Sequence, residues 1–239
     1  MVKVEVCCSG ARDVREAVRG GADRIELCSA LAGGGVTPSV GLIREAVDIA
    51  GNVPVMVLIR PRDGHFVYDE DEVRVMEADI MAARCVGAYG VVIGALTPTG
   101  EIDVDTCRRL VKAAHGMNIT FSRAIDVTPD TLQALRVVAS LNVDRVLTSG
   151  GAANAPEGAD VLRQMVQYNG PAIMAGGGVT AGNVTALVQA TGVQEVHGSF
   201  RQPQAESPLC RALPGLEAAF RHTSCKIVEK VKECVKRTL

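Results

Sequence analysis

Aromatic residues are scarce in this chain: they make up 3% of its 239 residues, and tryptophan is absent. Proteins that bind single-stranded nucleic acids without sequence preference stack the bases on aromatic side chains, so we do not expect such a surface. The formal net charge is −2, and no basic run stands out. This charge balance argues against nucleic acid and against an anionic membrane as partners.

Long apolar runs are also missing, since none approaches the roughly 18 residues that a membrane helix needs. Glu5 interrupts the apolar stretch at the N-terminus before it could form a signal peptide. The eight cysteines include no C-x-x-C pair and lack the density of a disulfide scaffold, which predicts free thiols in a reducing compartment. We therefore expect a cytoplasmic protein, and no organic cofactor is evident.

What the chain does have is a large apolar content, 47%, and a regular alternation of strand and helix patterns. Eight such units of roughly 30 residues each match the (β/α)8 barrel. The predicted strands span residues 3–8, 23–28, 53–60, 90–96, 118–123, 144–148, 171–175 and 194–197. The predicted helices span 11–20, 38–50, 69–86, 103–114, 129–141, 157–168 and 181–190, and an amphipathic last helix includes Ile227 and Val235.

This alternation predicts an α/β protein with a single TIM barrel domain over residues 1–239, although the tail after about residue 200 has a less clear pattern. An open doubly wound sheet is the alternative architecture. No composition break or linker divides the chain, and length alone does not force a second domain.

The first two predicted strands share a Glu-x-Cys pattern, with Glu5 and Cys7 on one and Glu26 and Cys28 on the other. Side chains alternate along a strand, so each pair lies on one face. Neighbouring strands lie about 5 Å apart, so two thiolates there could hold a soft ion such as Cu(I) in near-linear geometry. The alternative is that both thiols are buried as small apolar groups.

Other predicted strands also end in polar or glycine-rich segments, which a barrel brings together at its functional end. These segments contain Arg60, Arg62, Arg123, Asp126, Ser149, Gly176, Gly177, Gly178, His197 and Ser199. One interpretation is a mouth with carboxylates for acid–base catalysis and arginines for an anionic substrate. The other is a structural ring of ion pairs, in which Arg123 pairs with Glu5 or Glu26.

The glycines at 176–178 follow the seventh predicted strand, and Gly198-Ser199 follows the eighth. Glycines let backbone amides approach an anion, and the loops after these strands are a frequent phosphate site in TIM barrels. We therefore expect an anion site there, although a tight turn would use the same glycines. We interpret His197 as a mouth residue rather than as a metal ligand.

Taken together, these segments resemble the CutC family of copper-homeostasis proteins. The resemblance is carried in order by GGADRIELCSAL, GGVTPSVGLI, IRPRDGHFVYDEDE, NITFSRAID, DRVLTSG, IMAGGGVTAGN and EVHGS. It implies a cytoplasmic TIM barrel with a role in copper handling. Carried over by position, the family's mouth residues are Glu5, Cys7, Glu26, Cys28, Arg60, Arg62, Arg123, Asp126, Ser149 and His197.

The chain departs from the family pattern at Ser122, where the family has histidine, at Ile125, where it has phenylalanine, and at His197-Gly-Ser, where relatives have small residues. A serine cannot replace an imidazole as a base or a soft-metal ligand. After Phe200 the resemblance fades.

Two functional hypotheses follow. The first is a copper-homeostasis protein that binds Cu(I) through Cys7 and Cys28. The second is a TIM-barrel enzyme for a small phosphorylated or carboxylated substrate. Its catalytic candidates are Glu5, Glu26, Arg60, Arg123 and Asp126, and its candidate anion-binding residues are Arg62, Ser149, Gly176, Gly177, Gly178, His197 and Ser199. The oligomeric state stays open, a homo-oligomer included.

Overall fold

A computed structural model of the chain describes residues 1–203 and 221–236. Eight parallel strands form a closed barrel, in which each strand pairs with its neighbours in chain order and β1 also pairs with β8. The predicted TIM barrel is confirmed. The strands are β1 (Lys3–Cys8), β2 (Arg24–Leu27), β3 (Val55–Leu58), β4 (Gly90–Ile93), β5 (Asn118–Phe121), β6 (Arg145–Thr148), β7 (Ala172–Ala175) and β8 (Glu195–Gly198).

Helices follow the strands and cover the outside of the barrel. They are α1 (Ala11–Arg19), α2 (Val40–Ala50), α3 (Glu70–Cys85), α4 (Val104–Ala113), α5 (Thr131–Ala139), α6 (Ala159–Gln167), α7 (Val184–Thr191) and α8 (Cys225–Lys236). Several predicted helices begin one or two residues early because their first residue is a cap: Asp69 accepts from the Glu72 amide, and Asp103 from the Thr106 amide. Short 3-10 helices occupy Leu31–Gly33 and Arg123–Val127.

The core has two compartments, because alternate strand residues point to opposite sides of the barrel wall. The outward-facing residues, such as Val6 and Ile25, join the helices in the larger apolar cluster. The inward-facing cluster is much smaller and contains Cys7, Cys28, Met56, Leu58 and Val92. Buried charged residues such as Arg24, Arg145 and Glu195 share the interior with it, and this division positions the site described below.

The last helix completes the helical layer between α7 and α1. A Cβ atom at Gly20 would lie 2.6 Å from the Cβ of Val228, so only glycine admits the helix this close. Lys232 Nζ lies 2.5 Å from Asp23 Oδ2, which ties α8 to the start of β2. None of the helices in the described ranges combines the length and apolar character that a membrane crossing requires.

A small two-stranded sheet was not predicted from the sequence. Two short strands, β9 (Arg201–Pro203) and β10 (Arg221–Thr223), pair antiparallel beside the barrel. Their segments are three residues long and polar, so they carry no alternating apolar pattern. Cys210, which we predicted to be a free thiol like the other cysteines, lies outside the described residues.

Candidate functional site at the barrel mouth

Two thiols meet inside the barrel near the carboxyl ends of β1 and β2. Cys7 pairs in register with Glu26, and the Sγ atoms of Cys7 and Cys28 lie 3.7 Å apart. Both side chains are buried, with 3% and 0% exposure. The hydrogen bond to Cys28, burial and the charge of Glu26 raise the pKa of Cys7 well above its ordinary value. The meeting of the two Glu-x-Cys strand ends is as the sequence predicted.

Glu26 and His197 complete this group of side chains. His197 Nε2 lies 3.7 Å from Glu26 Oε2, and ligand atoms of Cys7, Glu26 and His197 all lie within 4.8 Å of one another. Burial raises the pKa of Glu26, and the charge of His197 offsets this only in part. Burial alone would lower the pKa of His197, but the charge of Glu26 and the hydrogen bond to Glu5 raise it.

Glu5 lies deeper in the barrel and has different partners from those expected. Its carboxylate accepts from Arg24 and lies 2.8 Å from His197 Nδ1. Burial would raise its pKa, but the His197 hydrogen bond and the charge of Arg24 lower the pKa of Glu5 to about 2. The interpretation in which Arg123 pairs with Glu5 or Glu26 is therefore wrong: Glu5 pairs with Arg24 and His197, and Arg123 pairs with Asp126.

A network of ion pairs fills the barrel interior below the thiols, and sequence reasoning missed it. Arg24 also binds Glu195, and Arg145 Nε lies 3.2 Å from the same Glu195 carboxylate. Arg145 further donates to Thr120 Oγ1 at 3.1 Å and to Asn118. The signal was available: Arg24 shares the strand face of Glu26 and Cys28, so it had to point into the barrel.

The arginines at 60 and 62 stabilise loops. Arg60 is buried, at 7% exposure, and donates to the carbonyls of Gly33 and Gly35, which lie in the loop after β2, at 3.2 and 2.9 Å. Arg62 Nε lies 2.5 Å from Glu72 Oε1 at the start of α3. The side chain of Arg62 also lies over the ring of Tyr68. Their hydrogen bonds go to loop carbonyls, to Glu72 and to the His65 ring, and within the described residues neither side chain bonds to Cys7 or His197.

Arg123 and Asp126 pair with each other on the opposite side of the mouth. Arg123 Nε donates to Asp126 Oδ2 at 2.7 Å and Nη2 to Ser149 Oγ at 2.9 Å. Asp126 also accepts from the Thr148 hydroxyl and from the amides of Ser149 and Gly151. With this many donors, the Asp126 carboxylate serves as an anchor and is poorly suited to act as a free base.

The glycines after β7 divide into two groups. The Gly176 amide donates to the Thr148 carbonyl at 2.9 Å, so it is unavailable to an anion, contrary to the expectation. Gly177 and Gly178 have φ values of +90° and +71°, a region that favours glycine. The Ser199 carbonyl accepts from Thr223 Oγ1 at 3.2 Å, which ties the loop after β8 to β10.

Ser122, at the position of the family histidine, caps the short helix that holds Arg123. Its Oγ accepts from the Ala124 amide at 3.3 Å, and the side chain is buried. The imidazole of the mouth is instead supplied by His197, from β8. The group of Cys7, Cys28, Glu26 and His197, called the thiol site below, combines sulfur, nitrogen and oxygen donors. Such a set suits a soft metal ion or acid–base chemistry.

Comparison with known proteins gives a consistent picture. The CutC family model matches residues 2–202. The CutC family protein of Pasteurella multocida is 46% identical over 198 residues, covering 82% of this chain and 81% of the relative. The CutC family protein of Caulobacter vibrioides is 46% identical over 204 residues, covering 84% of this chain and 82% of the relative.

Among solved structures, one from Streptococcus agalactiae, described as a candidate copper homeostasis protein CutC, superposes with a TM-score of 0.79. It is 36% identical and covers 83% of this chain and 99% of its own. Thiamine phosphate pyrophosphorylase from Pyrococcus furiosus has a TM-score of 0.63 at 16% identity, covering 100% of this chain and 97% of its own, and shares the fold alone. The family model and these relatives place the chain in the CutC family.

Proposed function

We propose that this protein binds copper as Cu(I) through the thiolates of Cys7 and Cys28. The Sγ atoms lie 3.7 Å apart and face each other inside the barrel. Both are buried among apolar side chains, which keeps water away from the ion. Thiolates are soft ligands that favour Cu(I), and a homologue from Streptococcus agalactiae is described as a candidate copper homeostasis protein.

The Cys7 and Cys28 sulfurs lie 3.7 Å apart, close enough for both to hold one ion. A third donor would complete such a site. His197 and Glu26 both lie with Cys7 in one cluster of ligand atoms, and His197 is the better candidate because imidazole nitrogen suits copper more than carboxylate oxygen does.

The contact between Cys7 and Cys28 carries the proposal, and the contact between Glu5 and His197 supports His197 as the third donor. Glu5 Oε1 lies 2.8 Å from His197 Nδ1, so a proton on Nδ1 is held by the carboxylate and Nε2 is left to bind a metal. Histidine ligands of metals almost always donate their other ring nitrogen to such a partner.

The test is a Cu(I) titration against a competing chelator under anaerobic, reducing conditions. We expect the double variant Cys7→Ser/Cys28→Ser to lose most of the Cu(I) affinity, by at least about a hundredfold, because both soft ligands are removed. Cys8→Ser is the matched control. Cys8 is adjacent on the same strand and equally buried, but it belongs to the outer apolar core.

Equal Cu(I) binding by the double variant and the native chain would discard the site. A loss of binding in Cys8→Ser of the same size would indicate a general folding defect. Circular dichroism of each variant, recorded without metal, separates loss of binding from loss of structure.

A second candidate function is acid–base catalysis on a small anionic substrate. It is favoured by the buried pair of Glu26 and His197, whose pKa values are both raised by their surroundings. Incubation with a panel of small phosphorylated and carboxylated compounds in D2O, followed by NMR, would reveal exchange of carbon-bound protons. We expect any such exchange to be lost in Glu26→Gln. If no compound exchanges faster with the native chain than with this variant, the catalytic candidate fails.

A further inference from the structure

Arg123 is held firmly but keeps part of its hydrogen-bonding capacity. Nε and Nη2 donate to Asp126 and to Ser149 at 2.7 and 2.9 Å. Nη1 makes no hydrogen bond to any residue in the described ranges. The side chain is 41% exposed. A guanidinium fixed at two nitrogens and open at the third is preorganised to bind an anion.

The anchor of this arginine is built to stay in place. Both oxygens of Asp126 accept from the end of β6 and the residues after it: Oδ1 from the Thr148 hydroxyl at 2.5 Å and the Gly151 amide at 3.2 Å, and Oδ1 and Oδ2 from the Ser149 amide at 3.0 Å each. The carboxylate is 6% exposed. Asp126 is therefore shielded from solvent, whereas the Arg123 side chain that it holds is 41% exposed.

The guanidinium of Arg123 packs against the loop after β7. A Cβ atom at Gly177 would lie 3.3 Å from Cζ and Nη1 and 3.4 Å from Nη2 of Arg123, so Gly177 lies over the face of the guanidinium and its lack of a side chain gives that group room. The φ angles of Gly177 and Gly178, +90° and +71°, also require glycine. Within the part of the chain that the structure describes, the amides of these two glycines donate no hydrogen bond.

We propose that Arg123, together with the backbone amides of Gly177 and Gly178, forms a subsite for a phosphoryl group. A tetrahedral phosphoryl group has enough oxygens to accept from a guanidinium and from backbone amides at once, and such charge-assisted hydrogen bonds are strong. The loop after strand seven is a frequent phosphate position in this fold. The subsite uses different residues from the thiol site and goes beyond the proposed copper binding.

Inorganic phosphate is the probe for this subsite, with chloride at matched ionic strength as the reference. A ligand that binds only the folded state raises the melting temperature in proportion to ln(1 + [L]/Kd). At a phosphate concentration about a hundred times Kd we expect a rise of roughly 5–10 °C for a chain of this size. Arg123→Gln should remove most of that rise.

Arg163→Gln is the matched control for the loss of an arginine. Arg163 pairs with Asp160 at the same spacing in the chain and at the same distance, 2.7 Å, and is 50% exposed. It should keep the full phosphate response. The double variant Cys7→Ser/Cys28→Ser should also keep it, which separates failure of this subsite from failure of copper binding.

A measurement on the native chain covers the case in which Arg123→Gln does not fold. Titration with phosphate, followed by amide NMR, should shift the signals of Gly177 and Gly178 in a saturable way, together with the Arg123 Nε–H signal. The proposal is overturned if phosphate and chloride affect melting equally, or if the largest shifts fall elsewhere. A response that Arg123→Gln retains in full would also overturn it.

Discussion

The barrel interior has two layers that differ in how their charged residues are compensated. The lower layer contains Arg24, Arg145, Glu5 and Glu195, and the upper layer is the thiol site. In the lower layer, Arg24 and Arg145 bind Glu5 and Glu195, and each of these four side chains has at least one partner of opposite charge. In the upper layer, Glu26 forms no ion pair with an arginine among the described residues, and its polar neighbours are the Cys7 thiol and His197 Nε2 at 3.7 Å. Every charged group of the lower layer is therefore compensated by an opposite charge within the protein, and in this sense the layer is complete.

The difference indicates which buried polar residues are structural and which are available to a ligand. A buried charge is tolerated when partners and hydrogen bonds compensate its loss of water. Arg24 meets this condition within the protein itself. The thiol site does not, and the ligand atoms of its Cys7, Glu26 and His197 lie within 4.8 Å of one another. Glu5 belongs to both layers, because it accepts from Arg24 below and from His197 above.

Removing the central arginine of the lower layer should have the largest effect. Arg24→Met leaves Glu5 without its arginine and Glu195 with only Arg145. Breaking a buried pair by removing one partner costs about 3–5 kcal/mol, and we expect that loss in urea denaturation.

Arg163→Met is the control for Arg24→Met, since an exposed pair is worth about 1 kcal/mol or less. If both variants lose the same stability, the lower layer contributes no more than a surface ion pair, and the contrast between the layers fails.

The next effect in size concerns the residue that connects the layers. Glu5→Gln replaces a carboxylate that holds His197 Nδ1 with an amide that can present either oxygen or NH2. Loss of such a partner behind a metal-binding histidine typically costs 10–100-fold in metal affinity. We therefore expect Cu(I) affinity to fall by about that factor, measured by chelator competition.

Glu195→Gln is the comparison for Glu5→Gln, because Glu195 binds the same Arg24 and makes no hydrogen bond to His197 among the described residues. It should lose stability but keep its Cu(I) affinity. Equal affinity loss in the two variants would mean that His197 is not oriented through Glu5.

The sequence predicted the barrel and the meeting of Cys7 with Cys28, because both follow from alternation along strands and from neighbouring strands in a parallel fold. It did not predict the partners of the arginines. Arg123 pairs with Asp126 because a short helix brings residues three apart in the sequence next to each other. Arg60 instead donates to loop carbonyls. Such choices depend on loop backbones, whose course no periodic pattern reveals.

The lower layer was missed for a different reason. The candidate site residues were predicted from the carboxyl ends of the strands. Arg24, Arg145 and Glu195 lie instead at the starts of β2, β6 and β8. Their inward direction was predictable from alternation. Their pairing was not, because Arg24 and Glu195 lie far apart in the sequence and meet only when β1, between β2 and β8, closes the barrel.

The smallest expected effect belongs to Glu26, in the incomplete layer. Burial raises the pKa of this carboxyl group, which means that its charged form is costly in the folded chain. Glu26→Gln removes the charge and keeps the shape, so at neutral pH without metal we expect stability to rise by about 1 kcal/mol, the lower end of the cost of a poorly compensated buried polar group. The loss of attraction to His197 keeps the gain small. Urea denaturation with chelator and reductant present measures it against Glu5→Gln, which should lose stability because it weakens the pair with Arg24. A loss in Glu26→Gln as large as that in Glu5→Gln would show that the upper layer is as complete as the lower one.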